Sequence, residues 1–243
     1  KSARIQKFDR DGRFVRTWST PACDMGRPSG LAVTAEGDVL VADTHYHRIL
    51  RYTADGVLKS EFGREGRGPG EFLYPTGIGA LPDGTIYVSV YGGNDRLQVF
   101  NPEGRLLRGW GVYGAGAGDF KRPQSLALTK DRLYVADAAN HRIQVFTHAG
   151  KFLAEWGDLR YPYGVSVDAE GRILVAEYGR HRVLKYAPDG RLLASAGGPG
   201  NGPSELNTPW AAVPIDAGRV AVVDCGNHRV QLWPASWLAG AAP

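Results

Sequence analysis

The feature that most limits what this chain can fold into is an internal repeat. Prolines at 28, 75, 123, 162 and 209 each open a similar stretch, at spacings of 47, 48, 39 and 47 residues. The first full copy reads PSGLAVTAEGDVLVADTHYHRILRYTADGVLKSEFG from Pro28 to Gly63. Each copy divides into four short apolar runs, here called a to d. Run a follows the proline (GLAV, SLAL, GVSV), and run b is VLVAD, IYVSV, LYVAD, ILVAE or VAVVD. Run c opens on arginine (RILRY, RLQVF, RIQVF, RVLKY, RVQLW), and a turn such as ADG, PEG or PDG leads to d. Alternating apolar positions bounded by Asp-Gly and Glu-Gly turns are the signature of antiparallel hairpins. A four-stranded unit recurring every 40 to 50 residues predicts a β-propeller, because one such sheet cannot cover its own two faces.

Six arginines open run c: Arg4, Arg48, Arg96, Arg142, Arg182 and Arg229. The expectation is therefore an all-β, six-bladed propeller forming a single domain over 1–243. Its units are 28–74, 75–122, 123–161, 162–208 and 209–243. Residues 1–27 match only the second half of a unit and predict a half-blade of two strands, with about half a unit expected upstream. The composition agrees: 43% hydrophobic and 22% charged residues describe a globular chain, and 33 glycines and 15 prolines suit frequent turns. No apolar run approaches the roughly 20 residues of a membrane helix, so no membrane span is expected.

The segments Val41–Leu50 (VADTHYHRIL), Val135–Phe146 (VADAANHRIQVF), Val175–Tyr186 (VAEYGRHRVLKY) and Val222–Trp233 (VVDCGNHRVQLW) resemble the NHL-repeat family. The second unit departs from the pattern, with Val90 where the others carry an acid. The resemblance implies a six-bladed propeller with run a innermost. It leaves the function open, because members similar to this chain include RNA-binding domains, kinase sensor domains, an amidating lyase and secreted scaffolds. Likeness to secreted bacterial members implies an extracytoplasmic, periplasmic or secreted location.

The acid, histidine and arginine around each b–c loop recur with the blade. Asp43, Arg48, Asp137, Arg142, Glu177, Arg182, Asp224 and Arg229 are read as structural ion pairs, since a catalytic site is needed once. Candidate ligand residues are those that begin run a or precede it on the face carrying the b–c and d–a loops. There Arg27, Arg122 and Arg160 would contact an anion, while Tyr74, Tyr163 and Trp210 would form walls, joined by Thr76 and Gln124. The competing reading pairs the three arginines with Asp24, Asp119 and Asp158.

The net charge of +4 has no one-sided location, since bases and acids balance on these loops; nucleic-acid binding is not expected. The histidines that hold zinc in the amidating lyase have no counterpart at the run-a starts, so neither a metal, a cofactor nor a catalytic residue is expected. The Gly-rich stretches Gly63–Gly70, Gly111–Gly118 and Gly197–Pro203 lead into strands and not helices, which removes a phosphate-loop reading. The favoured function is a non-catalytic scaffold binding a protein, peptide or small anionic ligand. A hydrolase or lyase with an atypical axial site is the alternative, and an RNA-binding domain is less favoured. Cys23 and Cys225 form a possible disulfide between unit five and the half-blade.

Overall fold

The computed structural model describes residues 3–22, 24 and 26–238. The chain is all-β, with six successive antiparallel sheets. Strands β1 (Arg4–Phe8) and β2 (Phe14–Ser19) form a two-stranded sheet. Next come β3 (Pro28–Val33), β4 (Val39–Asp43), β5 (Arg48–Tyr52) and β6 (Leu58–Phe62), hydrogen-bonded in that order. The third sheet is β7 (Tyr74–Ala80), β8 (Ile86–Tyr91), β9 (Arg96–Phe100) and β10 (Leu106–Trp110). The fourth is β11 (Pro123–Leu128), β12 (Arg132–Asp137), β13 (Arg142–Thr147) and β14 (Phe152–Trp156). The fifth is β15 (Pro162–Val167), β16 (Ile173–Glu177), β17 (Arg182–Tyr186) and β18 (Leu192–Gly197). The last is β19 (Pro209–Asp216), β20 (Arg219–Asp224) and β21 (Arg229–Pro234).

The half-blade has the two strands expected of it. The last unit differs from expectation: its fourth strand is not among the described residues. β21 runs into Pro234 without the Gly turn that starts strand d elsewhere, and a 3-10 turn, Ala235–Leu238, follows. Trp237 there packs on Trp233 at 5.6 Å.

The chain divides into two compact units, Lys1–Ser125 and Leu126–Pro243. In the first, Leu40 and Ala42 of β4 and Ile49 of β5 pack against Ile78, Ile86, Val88, Val90 and Phe100 of the next sheet. Val41 and Leu50, on the opposite face, meet Ile5 of the half-blade. Strand b is thus covered on both faces, which is why it reads as a continuous apolar run. In the second unit, Leu174 and Val183 pack against Ala212, Val220, Val222 and Trp233 in the same way.

The aromatic that ends strand d ties one sheet to the next. Trp18, Phe62 and Trp156 lie against Gly56, Gly104 and Gly190, the c–d turn glycines of the following sheet. A Cβ at Gly104 would come within 2.5 Å of the Phe62 ring, and its φ of 80° is a left-handed value. Two independent demands therefore fix glycine there. Among the described residues no helix is long and apolar enough to cross a membrane.

Candidate functional site

The b–c loop is a short 3-10 turn in four of the five repeats from Pro28 on, closed by a histidine in left-handed backbone: His47, His141, His181 and His228, with φ of 53–60°. Three of these rings reach the connector before the next sheet. His141 Nδ1 accepts from the Tyr161 N–H at 3.1 Å, and His181 Nδ1 accepts from the Thr208 N–H at 3.0 Å. His47 Nδ1 donates to the Leu73 carbonyl. In the second repeat Asp95 replaces the histidine, and its Oδ2 accepts from the Arg122 N–H at 2.5 Å. Arg122, Tyr161 and Thr208 each directly precede a proline and have φ of 48–53°, a conformation disfavoured for such residues. The clamp holds the connector in that strained shape.

The strand-c arginines form the ion pairs expected across the loop. Arg48 Nε lies 3.0 Å from Asp43, Arg142 Nε 2.9 Å from Asp137, Arg182 Nε 2.5 Å from Glu177, and Arg229 Nε 2.8 Å from Asp224. Strand-c guanidinium groups also hold Gly-rich connectors. Arg229 donates to the Asn201, Gly202 and Glu205 carbonyls, and Arg96 to those of Arg67, Gly68 and Glu71. Gln98 and Gln231, two residues further on, donate to the Glu71 and Glu205 carbonyls. Glu71 and Glu205 accept from the N–H groups of Gly68 and Gly202. The Gly-rich connectors are thus bound inward by the chain's own side chains.

Within the first unit this frame presents a row of rings and cations. Tyr74, at the start of β7, stacks on Tyr91 with centroids 5.1 Å apart and planes at 26°. The exposed Arg122 places its guanidinium 5.4 Å from the Tyr91 centroid, a cation–π distance. On the other side His45 meets Tyr74 edge-on at 5.9 Å. Burial first, and then the charge of exposed Arg27, hold the His45 imidazole below its ordinary pKa. Tyr74 and Arg122 thus belong to one row, with His45 and Tyr91 as members the sequence reading missed and with the charge of Arg27 felt at His45. Tyr91 had a signal, since it ends strand b in the one repeat that lacks the strand-b acid.

Thr76 requires a correction. It is only 2% exposed, and its hydroxyl donates to the Pro123 carbonyl at 2.7 Å, so it joins neighbouring sheets and presents nothing to a ligand. Gln124 is also buried, at 9% exposure.

The second unit carries its own aromatic group. Tyr163, expected as a wall, is 8% exposed and stacks on Tyr178 at 4.5 Å. Trp210, 41% exposed, lies 5.8 Å from Tyr163 and forms the accessible surface. The Arg160 N–H donates to Glu177 at 2.6 Å, while its side chain is exposed. The acid suggested as its partner, Asp158, is taken by Arg180 at 2.9 Å. A cavity of about 30 Å³ lies at the opposite end of these strands, between the Asp168–Arg172 and Asp216–Ala217 turns. It has room for about one water and is remote from Trp210.

Among the described residues no group of three or more His, Cys, Asp or Glu is placed to hold a metal ion. Cys225 opens the 3-10 turn of the last b–c loop, Cys225–Asn227, as a half-buried free thiol, raised in pKa by burial and by Asp224. Its suggested partner Cys23 lies outside the described residues.

Comparison with known proteins follows this geometry. The NHL repeat model matches residues 25–52, 120–146 and 159–186. Protein brain tumor of Drosophila melanogaster is 30% identical over 171 residues, covering 70% of this chain and 12% of that protein. NHL repeat-containing protein 3 of Homo sapiens is 28% identical over 217 residues, covering 79% of this chain and 61% of that one. The chain thus spans less than two thirds of either relative.

Among solved structures, a chain of a Nidogen/Laminin complex superposes with TM-score 0.74 at 18% identity, covering 100% of this chain and 89% of that one. A virginiamycin B lyase from Staphylococcus aureus, crystallised with Quinupristin, gives 0.66 at 18%, covering 99% and 80%. Repeat matches, relatives and fold together make this chain an NHL-repeat protein with a β-propeller fold.

Proposed function

We propose that the chain is a non-catalytic binding scaffold whose ligand is a protein or peptide segment bearing carboxylate or phosphate groups. The observation that carries this reading is the row His45, Tyr74, Tyr91 and Arg122, with the charge of Arg27 felt at His45. Flat rings offer large contact area at low conformational cost, and the flanking guanidinium groups suit anionic oxygens. The exposed Trp210 and Arg160 of the second unit offer the same chemistry. A structural neighbour taken from a protein–protein complex is consistent with it.

Selection from a displayed peptide library tests the idea. Acidic, aromatic-containing peptides should be enriched. The double variant Arg27→Ala/Arg122→Ala should weaken them by about 1.5–3 kcal/mol per lost charge-assisted contact. Equal binding by that variant would refute the site. Metal analysis of purified protein addresses the hydrolase or lyase alternative, since stoichiometric zinc or calcium would overturn the scaffold reading. We also propose an extracytoplasmic location on family resemblance; fractionation of the native protein entirely into the cytosol would refute it.

A further inference from the structure

His47, His141, His181 and His228 recur with the repeat, and His45 does not. It stands in the middle of the first 3-10 turn, Thr44–Tyr46, where the later 3-10 turns of b–c loops carry Ala139, Gly179 and Gly226. The packing behind that position explains the two glycines. A Cβ at Gly179 would come within 2.6 Å of the Arg160 side chain, and one at Gly226 within 2.5 Å of Asn207. Arg160 and Asn207 each lie two residues before an opening proline. In the first repeat the glycine sits on the other side of the contact, because the residue two before Pro28 is Gly26. The turn therefore has room for a full side chain at His45.

The turn also holds that side chain in place. Thr44 donates to the Pro75 carbonyl at 2.8 Å and accepts from Ser29 at 2.5 Å, while the ring meets Tyr74 edge-on. Nδ1 of His45 is buried without a hydrogen-bond partner. Nε2 is not buried, and it too has no partner among the described residues. The charged and titratable groups facing the ring are Arg27 on the connector, Asp43 at the end of β4, His47 on the same turn and Tyr74 on β7. Asp43 is already paired with Arg48, and Arg27 has no carboxylate partner among the described residues. The unliganded chain thus leaves a guanidinium without a counter-ion beside an imidazole held neutral at pH 7.

We propose that His45 is a ligand contact that takes up a proton when a carboxylate of the partner settles beside it and Arg27. The inference rests on the aromatic row being the binding surface, and it adds a proton-linked preference to that surface. A bound anion offsets the Arg27 charge, which opposes an imidazolium. The proton comes from solvent and goes to the ring; no bond of the ligand forms or breaks. The Nε2–H then donates a charge-assisted hydrogen bond to the carboxylate. A ligand that binds with proton uptake binds more tightly as pH falls. A carboxylate suits this role better than a phosphate monoester. It stays ionised over the range in which an imidazole gains its proton, whereas the phosphate loses its second charge there.

Calorimetry with a short synthetic peptide of alternating Glu and Tyr tests this. Its affinity for the purified chain should rise about five- to tenfold from about pH 8 to about pH 5.5. Titrations of the unaltered chain in two buffers of different ionisation enthalpy should show net proton uptake. Both effects should fall away in the His45→Gln variant. Intact binding with no pH dependence and no proton uptake would overturn the proposal and leave the aromatic row standing. An unchanged pH dependence in His45→Gln would also overturn it, by assigning the proton to another group such as His47. No binding at any pH would overturn the aromatic row, and this proposal with it.

Discussion

Asp43 and Asp224 end strand b in their repeats, and both are fully buried, yet their carboxyls shift in opposite directions. Burial alone would raise Asp224. The Asn207 N–H, Asn227, Arg229 and Gln231 together hold it below its ordinary value. Asp43 has Arg48 on one oxygen, while Oδ1 has no hydrogen-bond partner, so desolvation wins and its pKa rises. Asp224 therefore adds stability above its unfolded pKa of about 3.8, and this is lost as pH falls through its lower folded value. Asp43 works the other way: its cost appears as pH rises from the unfolded to the folded value, and acid relieves it. NMR titration should place Asp43 above Asp224, and the reverse order would refute the account. Asp224→Asn should cost about 3 kcal/mol in urea melts, and Asp43→Asn clearly less.

The clamp makes a second prediction for single residues. His181→Ala leaves the Thr208 N–H without its acceptor and should cost about 1–2 kcal/mol. His181→Asp should cost less, because Asp95 already performs that task in another repeat. The recurring histidines were legible as structural, but their partners were not. The sequence places His beside Arg and suggests a local role, whereas the left-handed backbone turns the ring toward the next connector.

At the scale of the element, the hairpins were readable because turn chemistry and alternation agree in every copy. Two hairpin turns, a–b at Gly37 and c–d at Gly104, separate two demands on glycine. Gly37, with φ of 84°, has nothing within 4 Å of an added Cβ, so Gly37→Ala should cost about 1 kcal/mol for backbone strain alone. Gly104→Ala adds a clash with Phe62 and should cost about 3 kcal/mol. Equal losses in thermal melts would show that the ring contact contributes nothing. Thr76 was misread for a related reason. Sequence spacing places it at the start of strand a, but only the packing of the next strand a shows its hydroxyl closed off by Pro123. Gln98 and Gln231 were present in RLQ and RVQ, and went unread because a recurrent polar residue in a strand looks like an ordinary solvent-facing position.

For the whole molecule, the repeat predicts which positions are equivalent, while burial shows which are equally used. Ile78→Ala removes a covered side chain and should cost about 2–4 kcal/mol. Leu31→Ala, at the same repeat position, should stay within about 0.5 kcal/mol. A comparable loss at both sites would mean that the Leu31 face is covered in solution. In the last sheet Val213, Val223, Val230 and Leu232 are likewise 36–60% exposed.

The clamp before each opening proline has a consequence for how such a face can diversify. At Arg122, Tyr161 and Thr208 the backbone is gripped through its own N–H, a bond that does not need a particular side chain, although the Tyr161 ring also packs edge-on against His141 at 4.5 Å. One repeat can therefore exchange arginine for tyrosine or threonine there while the loop keeps its course. The fold has separated the letter from the page it is printed on: a recognition surface can be rewritten one blade at a time, without refolding anything beneath it.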